Sequence, residues 1–439
     1  MRGASAIVPK YATLTEMLAA AAHSGERLVF VDRREEDHEV PMAQVRQQAL
    51  SIAADLVGRG VRRGDRVAIV LPTCPEFVAC FFGVLCAGAV PVPLYPPVRL
   101  GRLDEYHQRT AAMLKAVDAV LVITDERIRR FLGVAVESAA PPLGCVTASA
   151  LDGTPAGEVD ADSDDLALIQ FSSGTTNDPK PVALTHANLL SNLAAIEGYI
   201  RDEGTPNPVG VSWLPLYHDM GLIGALLLAF YGPGPLALIP PEMFVAVPAV
   251  WLRAISRHRA TCSAAPNFAF GLCLKRIRDE ELDGVDLSSL SFCLNGAEPI
   301  SAAVQRRFGE RFGRWGFRAT ALTPAYGMAE ASLALTFKPA GESVHTLGMA
   351  ADTLALDGVV EPGDKELVSV GRPLAGVEVE IRNPEGVPQL LDAVGHIVVR
   401  APSIMAGYFG RLDLTDQVLH DGWLDTGDLG FVHDGQLFV

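Results

Sequence analysis

Paired-cysteine signatures are missing from this chain. Its seven cysteines (Cys74, Cys80, Cys86, Cys145, Cys262, Cys273 and Cys293) are odd in number, scattered, and set mostly among apolar neighbours. No CxxC pair or Cys/His cluster offers a zinc site, so the thiols read as reduced and buried, as in a cytoplasmic protein. Positive charge is short as well: 36 Lys and Arg against 52 Asp and Glu leave a net charge of −16. That balance argues against nucleic acid or an anionic membrane as a general partner, and a phosphate ligand must be held by local donors and a divalent cation. The N-terminus, MRGASAIVPKYATLTEML, has no apolar stretch long enough for a signal peptide. Residues 77–96 and 220–241 are uncharged throughout, but Gly88, Pro91 and Pro93 break the first, and Gly232, Pro233, Gly234 and Pro235 the second. Each reads as a buried helix followed by a buried strand rather than a membrane span. Internal repeats and low-complexity segments are absent too.

What is present is a regular alternation. Val45, Ala49, Ile52, Ala53 and Leu56 recur at helical spacing and predict a helix over 42–59, stopped at Gly58-Arg59-Gly60. Strands are predicted at 66–71, 119–123, 166–171, 211–214, 236–239, 291–294 and 318–322, with helices at 76–87, 187–199 and between the later strands. Repeated β-α alternation over 439 residues, 49% of them hydrophobic, predicts an α/β fold of two packed, helix-covered, mainly parallel sheets. Near residue 366 the pattern changes. GVEVEI (376–381), HIVVR (396–400) and the closing LGFV-HDG-QLFV, with HDG as a hairpin turn, predict a small antiparallel, β-barrel-like subdomain. The expected division is an α/β core over 1–365 and the β subdomain over 366–439. Val439 closes a strand without a polar tail, so the chain is expected to stop at a domain boundary.

Five segments carry chemistry. QFSSGTTNDPKPVALTH (170–186) places a hydroxyl-rich loop after an apolar run and ahead of a lysine. Gly174 lets the backbone approach an anion, Ser172, Ser173, Thr175 and Thr176 can donate to it, and Lys180 adds a point charge. GxxxxGK[ST] is absent, so this is not a Walker A loop, and alone it is as readily an ordinary Ser/Thr-rich turn. LNGAEPI (294–300) puts small residues after a strand, where a flat base can lie against the backbone or a plain strand-to-helix turn can form. In PAYGMAEASLAL (324–335), Tyr326 can stack on an adenine and Glu330 can offer a hard oxygen to magnesium, or both can be structural. WLPLYHDMGLIG (213–224) sets His218 ahead of an apolar helix, where it can meet a substrate carboxylate or serve as a packed structural histidine. DGWLDTGDLGF (421–431) carries Asp425 and Asp428, either a ribose-binding acid or an Asp/Gly turn.

In this order and spacing, FSSGTT…PK, PLYHDMG, NGAEP, AYGMAE and GWLDTGDLG resemble the adenylate-forming superfamily of acyl-CoA synthetases, peptide-synthetase adenylation domains and luciferases. The resemblance runs from about residue 10 to the end and includes GDRVAIVLPTCPEFVACFFGVLCAGAVPVPL (64–94). QFSSGTT, SWLPLYHDMGL and YGMAEAS look most like fatty acyl-AMP ligases, with Ala329 where most relatives carry a threonine. Residues 340–370 look like the place of an insertion that in those ligases goes with poor use of coenzyme A.

The resemblance implies ATP and Mg2+ as cofactors and a fatty acid as substrate. The partner it implies is an acyl carrier protein or a carrier domain of a polyketide or peptide synthase. Ser172, Ser173, Gly174, Thr175, Thr176 and Lys180 would form the phosphate loop. Gly296, Ala297 and Tyr326 would hold the adenine, with Glu298, Gly327 and Met328 in the same nucleotide site. Asp428 would bind the ribose and Glu330 the magnesium. His218 would lie by the acyl carboxylate, with Asp219, Met220, Gly221 and Leu222 in the acyl pocket and the helix 222–230 lining its tunnel. Lys180, Glu330 and His218 are the catalytic candidates.

Two departures from the pattern stand out. Asn177 and Pro181 replace glycines of many relatives, which stiffens the loop. The superfamily's C-terminal lid, with its hinge and catalytic lysine, is not found, so slow turnover is expected of this chain. The implied activity is formation of acyl-AMP from a fatty acid and ATP. An acyl-CoA synthetase is the alternative within the superfamily, separated by whether 340–370 packs or stays a free loop. A non-catalytic acyl-nucleotide binding module is the other, against which Lys180, Glu330 and Asp428 argue by occurring together.

Overall fold

A computed structural model describes residues 1–97, 103–155, 157–172, 180–202, 204–205, 207–339, 341–355, 358–389 and 391–439. A nine-stranded sheet dominates it. Its order is Arg372–Pro373, Ala334–Phe337, Leu322–Gly327, Phe292–Asn295, Cys262–Ala265, Gly210–Ser212, Leu236–Leu238, Arg27–Val31 and Asp37–Pro41. The central strands run parallel and antiparallel pairs close both edges. A second sheet, Val90–Pro93, Arg66–Val70, Ala119–Thr124 and Cys145–Thr147, is wholly parallel. Its strands are near-continuous apolar runs because helices cover both faces. Between the two sheets, Met42–Gly58 packs on Pro75–Cys86. Gly83 permits the close crossing, since a Cβ there would lie 2.6 Å from the Ile52 side chain.

Both uncharged stretches divide as helix and strand. The first becomes Pro75–Cys86 followed by Val90–Pro93. The second is helical over 219–231, with π-helical bonding at Leu222–Leu227, and continues as Leu236–Leu238. Among the described residues no helix is long and apolar enough to cross a membrane.

Two expectations need correction. The strand expected at 318–322 begins at Leu322 and ends at Gly327; Ala319–Ala321 is a single 3₁₀ turn. Pro324 weakens the strand signal of that run, yet its carbonyl still accepts from Lys338 N–H at 3.0 Å, so the strand continues through it. Leu166–Phe171 is not part of a parallel sheet. It pairs antiparallel with Pro181–Thr185, which pairs in turn with Gly407–Tyr408.

The β-barrel-like part is a curled antiparallel sheet of Glu378–Arg382, Gly395–Arg400, Trp423–His433 and Leu419–His420, with Gln436–Phe438 folded back on Trp423–His433. The hairpin turn there has Asp434 at φ 48 and Gly435 at φ 70, the left-handed pair a two-residue turn requires. Residues within 340–370 fold as a packed element. Thr346–Met349 and Lys365–Val368 pair antiparallel, and Met349 and Val360 pack on Val394, Phe431 and Phe438. Arg306 clamps Glu366 through two bonds of 2.5 and 3.0 Å.

Candidate active site

The phosphate-loop residues Ser173, Gly174, Thr175, Thr176 and Asn177 lie outside the described residues. On either side of them, Ser172 N–H donates to the Lys180 carbonyl at 3.0 Å. Lys180 Nζ lies 5.0 Å from the centre of the Tyr408 ring, a cation–π distance. The Tyr408 hydroxyl donates to Glu330 Oε1 at 3.0 Å. Glu330 stands on the turn Ala329–Ala331 and is only 7% exposed. Burial pushes its carboxyl above the usual range, while the Tyr408 bond and the Lys180 charge act in the other direction. The strand ahead of that turn ends at Gly327, where a Cβ would meet the Leu333 carbonyl at 1.8 Å, so only glycine fits.

Magnesium can be tested against this donor set. Among the described residues no cluster of three or more His, Cys, Asp or Glu could hold a metal. One buried carboxylate near the Lys180 ammonium fits a cation that takes one or two protein carboxylates and completes its shell from phosphate and water, as Mg2+ does.

The wall opposite, where the nucleotide is expected, is built largely at strand ends. Gly296 and Ala297 follow Phe292–Asn295; a Cβ on Gly296 would lie 3.2 Å from the Ala325 carbonyl, and Ala297 is left-handed at φ 67. The Glu298 carboxylate accepts from Phe268 N–H at the start of the helix Asn267–Arg276, so Glu298 borders the cavity while its charge serves that helix end. Tyr326 donates its hydroxyl to Asp428 Oδ2 at 2.7 Å, and burial keeps that phenol protonated. Asp425 instead shapes an irregularity within Trp423–His433, accepting from Gly427 N–H at 3.0 Å, while Asp428 lines the cavity. Met328 and Gly327 line the same wall.

His218 and Asp219 form a junction. The imidazole Nδ1 is 2.7 Å from Asp219 Oδ1, and the Asp219 charge raises the His218 pKa against the effect of burial. Burial would raise the Asp219 pKa, but the His218 charge and bond and the Met220 N–H together hold it below the usual carboxylate range. Met220 also lines the cavity.

Beyond this junction the cavity, about 980 Å³ in all, runs on between the nine-stranded sheet and the helices at 186–202 and 219–231. Gly210, Ser212, Cys262 and Ala264 line it from the sheet. Gly224, Ala225, Ala229 and Gly232 face them from the helix. Where helix and sheet would ordinarily interdigitate, these short side chains leave a tunnel. Ile200, Phe292 and Phe337 add an apolar wall.

Gly221 and Leu222 do not line the cavity, contrary to expectation. A Cβ on Gly221 would lie 2.2 Å from the Pro215 carbonyl, so this glycine serves a backbone contact, and Leu222 is fully buried in the main core. The helix 222–230 is accordingly divided: Leu222, Ile223, Leu226, Leu227 and Phe230 pack inward, while Gly224, Ala225, Leu228 and Ala229 meet the tunnel. Tyr408 was missed by the sequence reading; its only signal is an aromatic beside a glycine in SIMAGYFG (403–410), which carries no chemistry alone.

One cavity thus joins a buried acid, a lysine and a tyrosine–aspartate pair to an apolar tunnel. Residues 18–409 match the AMP-binding enzyme family, and the chain belongs to that family. It is 34% identical to the medium-chain-fatty-acid–[acyl-carrier-protein] ligase JamA of Moorena producens, over 98% of this chain and 76% of JamA. A chain from structural and functional studies of fatty acyl-adenylate ligases of E. coli and L. pneumophila superposes with a TM-score of 0.93 at 33% identity, covering 98% of this chain and 79% of that one. The L. pneumophila fatty acyl-adenylate ligase in complex with acyl adenylate and pyrophosphate gives a TM-score of 0.89 at 32% identity, over 98% and 77% of the two chains.

Proposed function

We propose that this chain joins a fatty acid to AMP, releasing pyrophosphate, and that the acyl group then passes to the thiol of an acyl carrier protein or carrier domain. The observation that carries the reading is the continuity of one cavity from Lys180, Glu330 and Asp428 past His218 into the apolar tunnel. A fatty acid lying there presents its carboxylate at the junction, beside the nucleotide groups. The carboxylate oxygen forms a bond to the α-phosphorus as the bond to the bridging oxygen breaks, and that electron pair leaves with pyrophosphate. The nucleophile is already anionic, so the residues need not remove a proton; their work is positioning and charge neutralisation.

In this reading Lys180 meets phosphate charge, Asp428 accepts from ribose hydroxyls, and Tyr326 lies against the adenine while fixing Asp428. His218, whose proton Asp219 helps to retain to higher pH, attracts the carboxylate to the tunnel mouth. Glu330 would hold Mg2+, which when bound neutralises charge on the phosphate oxygens. The packing of the element at 346–368 supports an acyl-AMP ligase over a coenzyme A-using synthetase. JamA, named for ligation to acyl carrier protein, supports the carrier as acceptor.

The test is mass spectrometry of products from Mg2+, ATP and a panel of fatty acids, with coenzyme A or a phosphopantetheinylated carrier protein added in turn. Acyl-AMP that persists with coenzyme A and is consumed by the carrier supports the reading. Conversion to acyl-CoA moves the protein to the synthetases, and no adenylate at all leaves a binding module.

A further inference from the structure

Tyr408 belongs to none of the motifs from which the site was read, yet it touches two of the charged groups. Its ring lies under Lys180 Nζ at 5.0 Å and its hydroxyl donates to Glu330 Oε1 at 3.0 Å. The side chain has little freedom. Tyr408 is 5% exposed and sits in the two-residue strand that pairs with Pro181–Thr185, the strand leading directly from Lys180. Three backbone bonds hold the surrounding segment: Ala406 N–H to Ala183 O at 3.0 Å, Phe409 N–H to Pro181 O at 2.8 Å, and Met405 N–H to Glu330 O at 2.8 Å. A fourth bond, from Tyr408 N–H to Thr415 Oγ1 at 2.9 Å, fixes its own backbone. One short segment is thus fastened both to the strand that follows Lys180 and to the turn that carries the acid.

We propose that Tyr408 is a positioning residue that fixes both Glu330, which would hold a divalent cation, and Lys180, which would meet phosphate charge. The proposal rests on the adenylating reading above. A buried carboxylate without a partner turns toward any nearby donor, and a lysine without a support samples many rotamers. Tyr408 restrains both through one rigid ring, as a partner behind a metal-holding carboxylate does elsewhere. Because the hydroxyl serves Glu330 and the ring serves Lys180, the two contributions separate by substitution.

The experiment is calorimetric titration of ATP into the full chain, with Mg2+ and again with EDTA, for the wild type and for Tyr408→Phe, Tyr408→Leu and Glu330→Gln. Tyr408→Phe keeps the ring, so ATP affinity in EDTA stays within about twofold while the gain from Mg2+ falls about tenfold or more. Tyr408→Leu loses affinity in EDTA as well, because Lys180 is no longer seated. Equal Mg2+-dependent gains in Tyr408→Phe and wild type overturn the proposal, as does an equal loss with and without Mg2+, which marks general loosening. Glu330→Gln separates the two levels. If it loses the gain while Tyr408→Phe keeps it, only the role of Tyr408 fails; if it keeps the gain, the metal reading of the site fails and the role of Tyr408 with it.

Discussion

The two ends of the cavity are assembled by different means. The polar end takes one or two residues from each of five distant segments: Lys180, His218, Gly296 and Tyr326 with Glu330 at turns or strand ends, and Asp428 beside an irregularity within Trp423–His433. The apolar end takes its shape from what is missing, short side chains at facing positions of one helix and one sheet. Chemistry is thereby placed on loops, where a few atoms can be aimed, and volume is placed between rigid elements, where it can be kept open. A substitution at the first end should change rate with little effect on which acid is used. A substitution at the second should do the reverse.

The largest effect is expected at the polar end. Glu330→Gln removes the carboxylate while keeping its shape, and adenylation should fall ~10²–10³-fold with chain-length preference unchanged. Fatty-acid-dependent pyrophosphate release measures it; near-normal release would end the assignment of Glu330. Next, Ala229→Phe fills the tunnel, so kcat/KM for the longest acids should drop about tenfold or more while the shortest are spared. A uniform loss across chain lengths would mean that Ala229 does not border the acyl chain. Leu222→Ala, on the opposite side of the same helix, sharpens the contrast. It should cost roughly 2–5 kcal/mol of stability by leaving a cavity in the core, without altering chain-length preference, and denaturant melts with an acid panel would show both.

The smallest effect concerns the junction. Asp219 raises the His218 pKa, so the imidazole proton is retained to higher pH than in an ordinary histidine. The ion pair is complete where Asp219 is charged and His218 protonated, and is lost as pH rises through the raised His218 pKa. Asp219→Asn should therefore move the His218 titration to lower pH and lower fatty-acid affinity most near neutrality, with the difference fading at high pH. Imidazole NMR shifts across the pH range would reveal an unmoved titration if the pairing is wrong.

Legibility in the sequence follows the same division. The helix at 42–58 and the strands at 66–70, 119–124 and 166–171 were readable because apolar periodicity and Gly or Pro punctuation agree there. Lys180, His218, Gly296, Tyr326, Glu330 and Asp428 could be singled out as candidates because unusual types cluster in order along the chain, and all six line one cavity. The parallel-sheet reading of 166–171 failed because pairing direction is set by partners remote in sequence, here Pro181–Thr185 and Gly407–Tyr408. Gly221 and Leu222 were misplaced because adjacency to His218 does not decide which way a side chain points once π-helical bonding at Leu222–Leu227 has shifted the helix phase. Cys262, Ala264 and Gly210 could not be recognised at all, since small residues on buried strands look the same whether they face a tunnel or a packed helix. Tyr408 escaped because its importance comes from two contacts that exist only after folding.

The central claim is that one ligand spans both ends, and calorimetry with a series of non-hydrolysable acyl-adenylate analogues differing only in chain length tests it most directly. Affinity should rise by about 0.8 kcal/mol for each added CH₂ until the tunnel is filled, and Ala229→Phe should bring that plateau to shorter chains. Affinity that stays the same from the shortest chain to the longest would contradict the account, leaving a nucleotide site with no functional connection to the tunnel.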